Sequence, residues 1–461
     1  MPKNRRQDDS RRPRRPAPPG PREPREPRTP TGLRLVDLDE IELTVDQIVD
    51  GGEGLGRFEG IPIFVPRSAP GDRVRARLTD RRPDYGRAEV VELLEPGPGR
   101  RPPPCPFFER CGGCDLQHLD QEHQLRFKAA AVRETLARLG GVEMPAQVAI
   151  VAGDVWGYRL RAQLHVGWSE RGRQVGYFAR GSHDLVAVDR CPILVGELER
   201  ELPRLPEALR HVEHRRIDVA AGDGEAWTVA PLVPGLPHGE VTAQVGETTY
   251  AYDARCFFQG HRQLLPDLVE HAVGDGGGEL ALDLYAGVGL FALPLARRHA
   301  RVIAVEGDRI AARYARTNAR RNKLANVEVE ATAVDGWLRR PGNWELAPSR
   351  VVVDPPRGGL SSPLRRWLAE RRPARLTYVS CHAATLARDL RALTRAFRVD
   401  RIALLDLFPQ TGHMEVVVQM SDADRDPPKS SPPTPSKIPP FEKGRQGGFP
   451  QTAAAQDSQT P

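Results

Sequence analysis

Between residues 36 and 96 apolar and polar positions alternate in short runs cut by glycine. Leu43–Val49 alternates, Gly51, Gly52, Gly54 and Gly56 mark a tight turn, and Ile61–Val65 is a second run. Pro70-Gly71-Asp72 turns the chain into Arg73–Leu78, and Gly86–Leu94 follows. Short strands spaced by turns predict a small β-barrel. The period lengthens over Gln121–Leu139, where apolar residues recur at helical spacing and Gly140-Gly141 ends the run. Residues 155–255 read as strand-rich, through "YRLRAQLHVGW", "VGYFA" and "LVAVDRCPIL". From 279 onward the apolar runs "LALDLY", "RVIAVE", "NVEVEA", "RVVVDP" and "RLTYVS" alternate with helical stretches. That rhythm predicts an α/β domain with a doubly wound, mostly parallel sheet.

Composition adds two tails. Residues 1–32 hold nine prolines and ten basic side chains against four acidic ones, so this tail carries the whole net charge of +6. Residues 422–461 hold nine prolines and balanced charge. Neither stretch has enough apolar surface to offset its ordering entropy, and both are expected to be disordered. The body between them is charge-neutral, which excludes a uniformly basic, histone-like protein. Arginine outnumbers lysine 61 to six, a bias read as genome composition first. With no apolar leader and no run of about 18 apolar residues, the chain is expected to be cytoplasmic, without membrane contact. A monomer is expected.

The chemistry concentrates at strand ends. Gly287-x-Gly289-x-x-Ala292 follows a strand and opens a helix, and Glu306 ends the next strand, placed to bind a ribose hydroxyl pair. The pattern fits a dinucleotide or S-adenosyl-L-methionine, and Asp283 leans toward the latter. Asp354-Pro355-Pro356-Arg357 follows the fourth strand of the sheet. Cys381 ends the fifth and precedes a helix, whose dipole would favour a thiolate. "DLFPQTGHMEVVV" brings His413 and Glu415 to the start of a terminal strand. Six cysteines are too few for a disulfide scaffold, and three lie within ten residues. With Cys191, the spacing Cys105-x5-Cys111-x2-Cys114 provides four thiolates, a number that suits a closed iron–sulfur cluster or a structural zinc. Cys256 is left as core packing.

Several of these stretches resemble known families. "GGEGLGRFEGIPIFVPRSAPGDRVRARL" resembles a TRAM domain, an OB-like RNA-binding barrel. "DPPRGG", "YVSCHAAT" and "DLFPQTGHMEVV" are similar to the signatures of the RNA (uracil-5-)-methyltransferase family, closest to its 23S ribosomal RNA branch. "CPFFERCGGCDLQ" resembles that family's iron–sulfur motif. The resemblance implies methyl transfer from S-adenosyl-L-methionine to C5 of a uridine in RNA. Cys381 would be the nucleophile and Glu415 the base. Gln259, Tyr285, Glu306, Asp335 and Asp354 would contact the methyl donor. Cys105, Cys111, Cys114 and Cys191 would hold a 4Fe-4S cluster. The chain departs from the family pattern at Ala286 and Leu290, where Cys and Asn are usual. It departs again at His382 and His261, each in place of Asn, and at Thr377, in place of an aliphatic residue.

The organisation expected is a basic Pro/Arg-rich tail over 1–35, a TRAM domain over 36–96 and a central domain with the cluster over 97–265. A Rossmann-like methyltransferase domain over 266–421 and a Pro-rich tail over 422–461 complete it. RNA is the expected partner, held in part by Arg57, Arg67, Arg73 and Arg75 on the barrel and by Arg159 and Arg161. Other functions compatible with the sequence are a catalytically weak or inactive RNA-binding protein with a TRAM domain and an iron–sulfur cluster, and a methyltransferase acting on tRNA uracil or on RNA cytosine C5.

Overall fold

The computed structural model describes residues 35–145, 148–170 and 172–425. Almost all of the 1–35 tail, and the part of the C-terminal tail from 426 onward, lie outside the described residues.

Five strands close a barrel: β1 (Glu40–Ile48), β2 (Gly54–Phe58), β3 (Ile61–Val65), β4 (Arg73–Arg81) and β5 (Gly86–Glu95), in the order β1-β2-β3-β5-β4. The alternation read from the sequence is the barrel's inside–outside alternation, with Leu43, Val45, Ile63, Val65, Val74 and Ala76 in its core. The glycine stretch read as a turn contains strand β2. Its glycines are required by packing: a Cβ on Gly54 would strike Ser68, and one on Gly56 would strike the Thr44 carbonyl. Two of the barrel arginines expected to face RNA are paired within the barrel, while Arg57 donates to the Gly60 carbonyl (3.2 Å) and Arg67 pairs with Glu109 of the cysteine loop (3.7 Å). Arg73 pairs with Glu95 (2.7 Å) and Glu42 (3.2 Å), and Arg75 with Glu92 (2.8 Å).

The helix Gln121–Thr135 starts where expected, capped by Asp120, which accepts the His123 amide at 2.9 Å. It ends in a π-helical turn, Leu136–Gly140. Beyond it runs β6 (Ala149–Val151). The strand-rich stretch forms an antiparallel sheet of β7 (Arg161–Ser169), β8 (Gly172–Phe178), β9 (Leu185–Ala187), β10 (Arg216–Ala221) and β11 (Trp227–Ala230). A hairpin, β12 (Val241–Val245) with β13 (Thr248–Tyr252), follows it.

The large sheet consists of β14 (Gly278–Leu284), β15 (His299–Glu306), β16 (Val327–Ala331), β17 (Arg350–Val353), β18 (Arg375–Ser380), β19 (Phe397–Leu405) and β20 (Glu415–Asp422), with β6 at its edge. The order is β16-β15-β14-β17-β18-β20-β19-β6. Strands β14 to β18 are mutually parallel, and β20 runs antiparallel between β18 and β19. This antiparallel insertion has a functional consequence. It brings the first residue of β20 to the same sheet edge as the last residues of β17 and β18. The helix Gln121–Thr135, its π-helical turn and β6 join this layer: Leu125, Val132 and Leu136 pack with Leu386 and Leu390 of the helix Ala383–Leu393.

Candidate active site

The turn after β14 is tightly specified. Tyr285 adopts a left-handed φ of 68°, and its amide and that of Ala286 donate to the Val305 carbonyl at 3.0 and 3.1 Å. Gly287 (φ 55°) and Gly289 (φ 94°) continue in conformations that favour glycine. Glu306, the last residue of β15, accepts the Gly287 amide on one carboxylate oxygen (2.7 Å) and the Asp308 amide on the other (2.6 Å). Asn318 ties the loop to the hairpin, its Nδ2 donating to the carbonyls of Val288 and Ala251, both at 3.0 Å. Ala286 and Leu290 are buried apolar residues here.

Asp354 follows β17 and accepts a hydrogen bond from Gln259 Nε2 at 3.1 Å. Burial pushes its carboxyl above the usual range. The loop after it is pinned by Asp389, which is fully buried and accepts the Leu360 amide (2.7 Å), the Tyr378 hydroxyl (2.9 Å) and Arg365 (2.7 Å). Cys381 sits between β18 and the helix Ala383–Leu393, and His382 caps that helix by accepting the Thr385 amide. The helix start favours a thiolate less than burial opposes it. Burial, then the charges of Glu415 and Asp354, push the Cys381 thiol up to about 11, while Arg357 pulls it down. Glu415 opens β20 and is 1% exposed, and its Oε1 lacks a hydrogen-bond partner. Burial and the neighbouring Asp354 hold its carboxyl well above the carboxylate range.

These groups line one cavity of about 930 Å³. Tyr285, Gly287 and Glu306 form part of its wall, with Gln259, Asp354, Cys381 and Glu415. The four clustered cysteines form another part. Asp335 is placed differently. Its carboxylate accepts the Ser361 hydroxyl, and its neighbours Ala333 and Val334 face the cavity. Asp283 is buried beneath the loop, where desolvation pushes it up to about 8. The cavity also draws on Phe257 and Asp308, which nothing in the linear chain marks. Phe257 is 61% exposed at the wall and carries Arg161 over its ring at 5.6 Å, and Asp308 continues the loop after Glu306. An exposed aromatic beside a buried core motif carries no one-dimensional signal.

Cys105, Cys111, Cys114 and Cys191 are all free thiols; the backbone of Cys111 pairs antiparallel with that of Ala179 in an isolated β-bridge, and the Tyr177 hydroxyl lies 3.8 Å from Cys191 Sγ. Burial pushes Cys191 up to about 11 and raises Cys111 and Cys114, and each of these three is raised further by a neighbouring cysteine. Among the described residues no group of three or more His, Cys, Asp or Glu side chains is arranged as a metal site. The donor chemistry itself, four cysteines facing one space, fits an iron–sulfur cluster.

Residues 39–91 match the TRAM domain family, 261–353 the TRM5/TYW2 methyltransferase domain and 342–423 the tRNA (Uracil-5-)-methyltransferase family. The 23S rRNA (uracil(1939)-C(5))-methyltransferase of Pseudomonas putida is 34% identical, over 81% of this chain and 92% of its own length. That of Pectobacterium atrosepticum is 33% identical, over 84% and 94%. A tRNA (uracil-54, C5)-methyltransferase of Pyrococcus abyssi, solved with S-adenosyl-L-homocysteine, aligns with a TM-score of 0.64 and 26% identity, over 82% of this chain and 100% of that one. A glycine-turned loop, a cysteine and a buried carboxylate share one cavity in a chain so closely related to these enzymes: it belongs to the RNA (uracil-5-)-methyltransferase family, S-adenosylmethionine-dependent enzymes with an N-terminal TRAM domain here.

Proposed function

We propose that this protein methylates C5 of a uridine in 23S ribosomal RNA. The observation that carries this reading is the opening of Cys381, Glu415 and the Gly287 loop onto the same cavity. S-adenosyl-L-methionine, when bound, supplies an electrophilic methyl group, and Gln259, Tyr285, Glu306 and Asp354 would hold it, with Asp335 supporting the loop of Ala333 and Val334.

The chain's own groups account for the rest. Uracil C5 is a weak nucleophile. The Cys381 thiolate adds to C6, the C5–C6 π electrons move toward the C4 carbonyl, and C5 becomes enolate-like. C5 then takes the methyl while keeping its proton. Glu415, ionised, removes that proton, the C5–C6 double bond re-forms and the C6–S bond breaks. A buried carboxylate with a raised pKa is a strong base once ionised. The target base must leave its stack to reach a carboxylate as buried as Glu415.

We also assign Cys105, Cys111, Cys114 and Cys191 to a 4Fe-4S cluster. Support comes from their shared wall and from four-thiolate chemistry. Bound there, the cluster would tie the 105–114 loop to Cys191.

The target RNA is read from the relatives named for 23S rRNA. A tRNA target is the second reading, favoured by the solved relative named for tRNA. Purified protein given each RNA in which 5-fluorouridine replaces uridine tests both. Fluorine cannot leave as a proton, so the correct RNA becomes trapped on Cys381 as a gel-stable adduct. An adduct with tRNA alone would overturn the ribosomal reading. An adduct surviving Cys381→Ala would overturn the nucleophile.

A further inference from the structure

The segment Phe408–His413 leads directly into Glu415, and little of its shape is its own. Gln410 sits in the left-handed region, φ 68°, which a non-glycine residue holds only when its surroundings over-determine it. The surroundings do so from three sides. From the cysteine loop, the amides of Asp115 and Leu116 both donate to the Gln410 carbonyl, at 2.8 and 2.9 Å. Asp115 Oδ2 accepts the Gly412 amide at 3.0 Å, while its other oxygen pairs with Arg180. From the helix Gln121–Thr135, Gln124 bonds Gln410 twice, accepting its amide and donating to its side-chain oxygen, both at 3.0 Å.

The third side is the barrel. Its β1–β2 turn lies against Gly412 backbone to backbone. A Cβ on Gly52 would fall 2.9 Å from Gly412 Cα, and one on Gly412 would overlap Gly51 and Gly52. Gly412 is thus clamped between Asp115 and the barrel, three residues before Glu415.

We propose that Asp115 is a positioning residue that, with the Gly52 turn of the barrel opposite it, fixes Gly412 and thereby aims Glu415 at the C5 proton. This rests on Glu415 being the base. It also gives the barrel a task in catalysis separate from holding RNA. The cysteine loop acts on the reaction through the residue that follows Cys114.

The effect falls mainly on the proton-removal step. Addition by Cys381 and methyl transfer depend on β18 and the Gly287 loop, which Asp115 does not touch. Proton removal depends on Glu415. Displacing a catalytic group by about 1 Å costs on the order of 100-fold.

Single-turnover assays on the full-length protein with uridine-containing RNA separate methyl transfer from RNA release. Asp115→Ala should leave the methyl-transfer burst within about twofold of wild type. It should slow release by roughly 10- to 100-fold, with methylated covalent RNA–protein species accumulating. Asp115→Asn keeps an oxygen for the Gly412 amide and should recover most of the release rate. Gly52→Ala perturbs the same glycine from the barrel side and should repeat the release defect, which keeps the idea testable if Asp115→Ala is insoluble. Equal slowing of methyl transfer and release, or normal release in both Asp115→Ala and Gly52→Ala, would overturn the positioning role. Glu415→Gln is run alongside. If it traps the adduct and the Asp115 variant does not, only the positioning role falls. If it releases normally, the base assignment falls and the positioning role with it.

Discussion

Arg357 Nη2 lies 2.9 Å from His413 Nε2, joining the loop that carries Asp354 to the loop that carries Glu415. Burial and the Arg357 charge keep His413 below its ordinary pKa, so the imidazole is neutral and accepts at Nε2. Arg357 is also the cation that lowers the Cys381 thiol. One guanidinium therefore serves both halves of the site.

Removing that charge should disarm the thiol. Cys381 titrates near 11, so at neutral pH its thiolate fraction rises about tenfold per pH unit. Arg357→Gln moves the pKa further up, so at any fixed pH below it the thiolate fraction falls. Asp354→Asn removes a negative neighbour and moves the profile toward lower pH. Iodoacetamide labelling of the Cys381 peptide between pH 7 and 10, followed by mass spectrometry, reads both shifts. Coincident profiles would show that Arg357 does not act on the thiol.

Glu415→Gln should separate the two halves of the reaction. The amide cannot accept the C5 proton, and loss of a general base typically costs about 10²–10⁴-fold. Methyl transfer continues, so methylated RNA bound to Cys381 should build up on denaturing gels. Normal turnover without a trapped species would assign the base elsewhere.

The site residues that end strands were legible in the chain because strand ends are marked twice, by an apolar run and by the polar group after it. Glu306, Asp354 and Cys381 all read this way. Glu415 was legible from its motif, but its place was not. Only the antiparallel entry of β20 puts a strand's first residue on the edge where β17 and β18 finish. The Gly54–Phe58 strand was hidden because its glycines serve close packing, which looks in one dimension like a turn. The anchoring of Gln410 by Asp115 and Gln124 joins residues almost 300 positions apart and leaves no local trace. Arginines on the barrel suggested RNA contacts, yet Arg73 and Arg75 are paired with cross-strand glutamates. Charge sign is visible in sequence, and pairing is not.

The four cysteines provide a spectroscopic test. Protein purified without oxygen should be brown, with about four iron atoms per chain. Cys105, Cys111, Cys114 or Cys191→Ser should each bleach the colour and lower soluble yield, whereas Cys256→Ser, in the apolar core, should leave the iron in place. Zinc without iron in protein kept anaerobic throughout would overturn the iron–sulfur assignment.

Lys128 and Asp406 make a buried ion pair at 2.7 Å, with both side chains 1% exposed. Asp406 Oδ2 has no hydrogen-bond partner, so Lys128 is the main compensation for a carboxylate taken out of water. Lys128→Met removes that compensation while keeping an apolar stem, and breaking one side of such a pair costs about 3–5 kcal/mol. Lys128→Met combined with Asp406→Leu removes both charges and should recover most of the loss, since apolar replacements of buried pairs are often neutral. Urea unfolding of the three proteins measures this. Lys128 has a second role, donating to the Phe408 carbonyl at 3.0 Å at the head of the segment that leads to Glu415. Met cannot replace that bond. The double variant should therefore regain stability and still release RNA slowly. Recovery of both properties together would mean that Lys128 serves only the fold, and that the 408–413 segment holds its shape without it.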